Sequence, residues 1–188
     1  MIDVIGNELI VKALAFASEK HRYQVRKGKE RTPYIHHPIQ VANVLVSTGK
    51  VNDTATLCAA LLHDTIEDTK TNTTELADLF GAEINNLVIE LTDDKSKSKQ
   101  ACRNDQICNA KFLSTKAKLI RLADKICNVH DIGYYPPLHW NNERRMLYLN
   151  WAAKVVNELR GINGALELKF DLMYNNSLEI LTANNVAS

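Results

Sequence analysis

A chain of 188 residues is long enough for one domain with a sizeable core and short for two. Its 45% hydrophobic and 24% charged residues are the balance of an ordinary soluble globular protein, and a formal net charge of +1 argues against a dedicated nucleic-acid binder. No apolar run approaches the roughly 18 residues that span a membrane, and Asp3, Glu8 and Lys12 break up the N-terminal stretch where a signal peptide would be apolar.

The dominant period is helical. Leu9, Ala13, Phe16 and Ala17 mark a first helix ending near Arg22. The basic stretch YQVRKGKERTPYIHHP keeps no helical stripe and reads as a loop. Pro38 suits the first turn of a second helix, PIQVANVLVST, with Gly49 as its C-terminal cap. Asp53 caps a third helix predicted to run unbroken through TATLCAALLHDTIED. Asn72 and Glu75 have capping-box spacing ahead of a helix that Gly81 stops, and AEINNLVIELT follows as a short amphipathic one. The segment DDKSKSKQACRNDQ is polar, with a mobile start. Ser114 caps a long helix, STKAKLIRLADKICNVHDI, predicted to end at Gly133. A loop through the paired prolines of YYPPLH precedes a helix from about Asn141 to Arg160, closed by Gly161. Asn163 opens the last helix, which fades by Asn175. Strand patterns are nearly absent, so the expected fold is all-α, a single domain over residues 1–188.

Cys58, Cys102, Cys108 and Cys127 form no C-x-x-C pair, and Cys58 and Cys127 lie within apolar patterns. They read as thiols of a reducing compartment, and the expected location is the cytoplasm, with no membrane partner. Trp140, Trp151, Phe16 and Phe112 read as core, and His21, His130 and His139 as surface or helix-end residues.

Residues 59–69, AALLHDTIEDT, set charged groups directly on an apolar run. On a helix, His63 and Glu67 share one stripe and Asp64 and Asp68 the next, about 100° away. Either the four edge one cavity or they form an exposed acidic turn. Asp124 sits among Leu119, Ile120, Leu122, Ala123 and Ile126, where a carboxylate is costly unless a cation or hydrogen bonds meet it. Arg121 on the same helix is one such partner. Together with a histidine of the His36–His37 pair, the pattern H…HD…D offers two imidazoles and two carboxylates. That donor set suits a borderline divalent cation such as Mn²⁺, Fe²⁺, Co²⁺ or Zn²⁺. Lys20, Arg22, Arg26, Lys27, Lys29 and Arg31 give the preceding loop a phosphate-binding character, or merely a solvated basic surface.

These stretches resemble the HD superfamily of metal-dependent phosphohydrolases, named for the adjacent pair here seen as His63–Asp64. More narrowly, RKGKERTPYIHHPIQVA, AALLHDTIEDT, FGAEINNLVIELTDDK, KAKLIRLADKICNVHDI and WAAKVVNELRG resemble the hydrolase domain of RelA/SpoT homologues. The TDDK at 92–95 and the lack of a synthetase region suggest the small stand-alone alarmone hydrolases of the metazoan-SpoT-homologue type. The resemblance covers about residues 10 to 170 and implies a single HD-domain helical bundle. It implies Mn²⁺ held by His37, His63, Asp64 and Asp124, with Glu67 and Asp68 as the catalytic carboxylates. Substrate contacts implied are Arg26, Lys27, Tyr34, Lys99, Asn128, Arg144 and Tyr148.

The activity implied is hydrolysis of the 3′-pyrophosphate of ppGpp or pppGpp, yielding GDP or GTP and pyrophosphate. Removal of the 2′-phosphate of NADPH at the same site is an alternative. A non-catalytic nucleotide-binding module with this fold is another, and there the ligands or the Glu–Asp pair should be missing. Here all six positions are filled.

Overall fold

The computed structural model describes the backbone of residues 4–186 and side chains from 6 to 183. Asp3 and the two ends of the expected domain fall outside that span. The described residues form nine α-helices: α1 (Val4–Lys20), α2 (His36–Ser47), α3 (Thr54–Leu62), α4 (Thr65–Asp68), α5 (Thr73–Leu91), α6 (Lys99–Asn109), α7 (Thr115–Tyr134), α8 (Asn142–Asn157) and α9 (Gly164–Val186). Among them are no strands, only two isolated bridges, Val25 to Pro33 and Gly28 to Pro137, which fold the basic loop back on itself and onto the 135–141 connection. Among the described residues no helix is long and apolar enough to cross a membrane.

Helix α7 is the axis of the bundle, touching α2, α3, α5, α8 and α9. A helix surrounded on all sides buries every face, and α7 buries each residue from Ile120 to Cys127. Three of those are charged, so each needs a partner. Arg121 donates to the Leu91 carbonyl at 2.9 Å rather than pairing with Asp124. Lys125 lies 3.0 Å from Asp124, and Asp124 faces His37. Leu122 is fully buried at the centre; its truncation to alanine costs about 2–5 kcal/mol in such a setting.

The predicted caps are present. Asp53 accepts from the Thr56 N–H at 2.8 Å, Asn72 from Glu75 at 2.9 Å, and Ser114 from Ala117 at 3.3 Å. Gly81, at φ 83°, breaks α5 into two segments, as expected of a glycine stop. Helix α8 ends at Asn157, short of the expected Arg160, and Gly161 takes φ 90° in the turn that follows.

Several expectations are corrected. The third helix is not continuous, since His63 and Asp64 lie between α3 and α4. Thr65 Oγ1 bonds the Leu62 carbonyl at 2.7 Å across the break. Gly49 does not take the left-handed conformation after α2, which falls to Lys50 at φ 55°. Its small size serves packing instead, because a Cβ there would lie 3.0 Å from Leu166 Cδ1 on α9. Gly133 likewise continues α7 to Tyr134, and a Cβ on it would come within 2.9 Å of Ser177 Cβ. Helix α9 does not fade at Asn175 but runs on to Val186, held by the buried Ser177 and Leu181. The polar 93–106 segment, for which the sequence predicts no helix, holds most of α6, which is capped by Ser98 and runs on to Asn109. Phe112 is 76% exposed rather than core, and His21 is buried rather than at the surface.

Candidate metal centre and its cleft

Three core helices and one break meet at a buried cluster. His37 comes from the start of α2, His63 and Asp64 from the α3–α4 break, and Asp124 from the middle of α7. Donor atoms of His37, His63 and Asp124 all lie within 4.8 Å of one another. His37 Nε2 is 3.1 Å from Asp124 Oδ1, and His63 Nε2 is 3.9 Å from the same atom. Asp64 Oδ2 completes the ring at 3.1 Å from His63 Nε2 and 3.8 Å from His37 Nε2. The break between α3 and α4 lets both His63 and Asp64 face this point.

The chemistry of these donors fits a divalent cation. His63 Nδ1 donates to the Ala60 carbonyl at 2.8 Å, which leaves Nε2 as the ring's lone-pair atom. That Nε2 is buried with no hydrogen-bond partner among the described residues, beside two carboxylates. A cation satisfies an imidazole lone pair and carboxylate oxygens together; a proton is the alternative. Burial opposes a charged His63, but Asp64 and Asp124 outweigh it and push its pKa up to about 9. Burial of Asp64 and Asp124 also acts against their charge, yet His63, His37 and Lys125 hold both carboxyls well below the ordinary range. Burial lowers His37, favouring the neutral ring a ligand needs.

Around the cluster stands a set of supports. Asn128 Nδ2 donates to Asp124 Oδ1 at 2.5 Å, and Lys125 holds Oδ2 while its ammonium sits 4.4 Å above the Trp151 ring. Tyr34 reaches across from the basic loop, its hydroxyl 2.6 Å from Asp64 Oδ2 and 3.2 Å from Asp68 Oδ2. Gln24 donates to the Asp68 carbonyl at 2.5 Å and pairs with the buried His21. Burial raises Glu67, whose Oε2 accepts the Asp93 N–H at 3.1 Å. Asp68 is exposed at the mouth.

The cluster opens on a cleft with two lobes. The larger, about 930 Å³, brings Glu67, Lys95, Lys97, Lys99, Arg144 and Tyr148 to one cavity. The smaller, about 660 Å³, is bounded by Tyr34, His37, Asp68 and Asn128. Arg26, Lys27 and Tyr148 line both. All thirteen residues singled out in the sequence therefore lie at this cluster or on the cleft walls. Arg26 is not free, since its guanidinium bonds Asp131 at 2.7 Å and Asn128 at 3.3 Å. His36 is exposed and outside the cluster. Trp140 and Trp151, expected as core, are half-buried in the cleft wall. Arg144 lies over Trp140 at 4.5 Å, and Arg103 over Trp151 at 5.4 Å.

Sequence reasoning did not reach Arg103, Asp93 or Gln106, which stand in polar sequence without periodicity. Lys125, buried beside Asp124, is not singled out by the sequence either. The adjacency of Lys125 to an aspartate among aliphatics is the one signal that could have singled it out.

Comparison with known proteins agrees with this geometry. Residues 13–149 match the HD domain family. A Xenopus tropicalis protein named guanosine-3′,5′-bis(diphosphate) 3′-pyrophosphohydrolase MESH1 is 47% identical over 166 residues, covering 88% of this chain and 93% of its own. The Homo sapiens protein of the same name is 45% identical over 158 residues, covering 84% and 88%. A solved structure described as a metazoan ortholog of SpoT that hydrolyzes ppGpp, with a role in starvation responses, superimposes with TM-score 0.87 at 44% identity, over 89% of this chain and 94% of that one. The chain belongs to the HD-domain family, in the group that holds the MESH1 proteins.

Proposed function

We propose that this chain is a metal-dependent hydrolase of guanosine 3′,5′-bis(diphosphate), releasing pyrophosphate from its 3′ position. The observation that carries the reading is a carboxylate held beside an imidazole–carboxylate cage in a cleft rich in cations. The names and extent of the relatives support it. The shared core of the described residues supports treating them as one domain, and four free cysteines support a cytoplasmic setting.

His37, His63, Asp64 and Asp124 are the residues that would hold the ion, and Mn²⁺ suits their mixed nitrogen and oxygen donors. A divalent cation bound there supplies Lewis-acid polarisation of a phosphate oxygen and acidification of water. The chain's own part is positional and electrostatic. Glu67 has one oxygen fixed by the Asp93 N–H, leaving the other to accept a proton from the attacking water. Burial lifts its pKa, which moves a carboxylate closer to the working pH of a general base. Asp68 shares the Tyr34 hydroxyl with Asp64, so Tyr34 fixes the separation of the two carboxylates. Lys27, Lys95, Lys99 and Arg144 offset the negative charge that would otherwise repel phosphate. The half-buried Tyr148 and Trp140 offer flat faces to a base.

The test is turnover of purified, Mn²⁺-loaded protein on ppGpp and on NADPH at matched concentration. Pyrophosphate release from ppGpp is expected. Phosphate release from NADPH alone would replace this reading with the 2′-phosphatase, and no turnover of either would leave a nucleotide-binding module.

A further inference from the structure

Helix α6 is held to the bundle in an unusual way. None of its residues is fully buried, and its large aliphatic side chain, Ile107, packs against the core. Two polar moorings add to that contact. At one, Trp151 Nε1 donates to the Arg103 carbonyl at 3.0 Å while the Arg103 guanidinium lies over Tyr148 and Trp151. At the other, Gln106 Nε2 lies 2.9 and 2.8 Å from the two oxygens of Asp93.

The second mooring leads to the reacting groups. The backbone N–H of Asp93 is the donor that fixes Glu67 Oε2. Asp93 directly follows Thr92, the residue that ends α5, where the chain has left helical geometry. Its direction is therefore not set by a helix ladder, and its carboxylate is the handle by which Gln106 holds it. Gln106 makes this contact at a cost, because its Oε1 is buried without a partner among the described residues. Leaving a buried amide oxygen unsatisfied is unfavourable, so the contact on Nε2 offsets a real penalty.

We infer that Gln106 and Asp93 are positioning residues for Glu67: the α6 amide clamps the Asp93 carboxylate, and the Asp93 N–H in turn aims the base. The inference rests on the hydrolase reading above. It makes the seating of α6, which also carries Lys99, part of what sets the rate of chemistry as well as binding.

The clamp can be broken and remade by exchanging donor and acceptor. Gln106→Glu, of nearly equal size, sets two carboxylates against each other. Adding Asp93→Asn to it restores an amide–carboxylate pair in the opposite sense. In Mn²⁺-loaded protein acting on ppGpp, Gln106→Glu should lower kcat about ten-fold, the effect of losing one hydrogen bond to a charged group. KM and bound metal should stay near wild type, and the double variant should recover most of kcat. A merely structural loosening of α6 would raise KM as Lys99 withdraws, and would not be rescued. Wild-type kcat in Gln106→Glu, or no rescue in a double variant of unchanged melting temperature and metal content, overturns the inference. Should Gln106→Glu not fold, Gln106→Ala must show a several-fold loss of kcat, and an unchanged value there overturns it equally. An active wild type with an unaffected variant removes this inference alone. A wild type that releases no pyrophosphate removes the parent reading and this inference together.

Discussion

The cage and the cationic rim of the cleft are built on opposite principles. His37, His63 and Asp124 are buried on helices of the core, and each is met by at least one fixed polar group. Lys97 is nearly half exposed, Lys95 and Arg144 are exposed, and the helix beside them, α6, has no fully buried residue. Burial makes the cage rigid and makes every change in it expensive, whereas the rim consists of flexible cations in a high-dielectric setting. One region should respond to substitution all at once and the other by increments.

The largest effect is expected from His63→Ala, which opens a buried carboxylate pair with no cation between. Metal analysis should find no stoichiometric ion, and turnover should fall below detection. Next comes Glu67→Gln, which removes the proposed base without removing a proposed metal donor. It should keep the metal and lose about 10²–10⁴-fold in kcat. The sign of its pH dependence is set by burial, which raises Glu67 above its ordinary 4.5. The working form is the carboxylate, so wild-type kcat should fall as pH drops through a value above 4.5. The Glu67→Gln variant should lack that acidic limb. Tyr34→Phe breaks the bridge between Asp64 and Asp68, and about a ten-fold loss of metal affinity or rate is the scale for such support. Arg144→Ala belongs to the rim and should raise KM about ten-fold while sparing metal. Lys97→Ala, already paired with Asp105 at 2.7 Å on the exposed surface, should change KM less than about three-fold. A rim substitution that abolished metal binding would break the division between the two regions.

The same division governs what the sequence reveals. The cage was legible because its chemistry contradicts its surroundings: HDTIED abuts AALL, and Asp124 lies among aliphatics. The helix caps were legible for the same local reason, at Asp53, Asn72 and Ser114. The break at His63–Asp64 was not, because Leu62, Thr65 and the cluster itself hold it and no glycine or proline marks it. Helix α6 is hidden because period-based reading needs an apolar stripe, and α6 offers little beyond Ile107 to the core. Helix α9 outruns its expected end because Ser177 reaches the Val129 carbonyl at 2.8 Å and Leu181 enters the core, contacts no local pattern encodes. Gly49 and Gly133 read as stops but act as close-packing points against α9. For α9, Gly49 and Gly133 the missing information lies in a neighbour distant along the chain.

Anomalous diffraction at the manganese edge from crystals soaked in Mn²⁺ bears most directly on the cage. A single strong peak should lie within coordination distance of the His37 and His63 imidazoles and the Asp64 and Asp124 carboxylates. A peak elsewhere, or none at saturating Mn²⁺, would contradict the metal centre and the hydrolytic chemistry built on it.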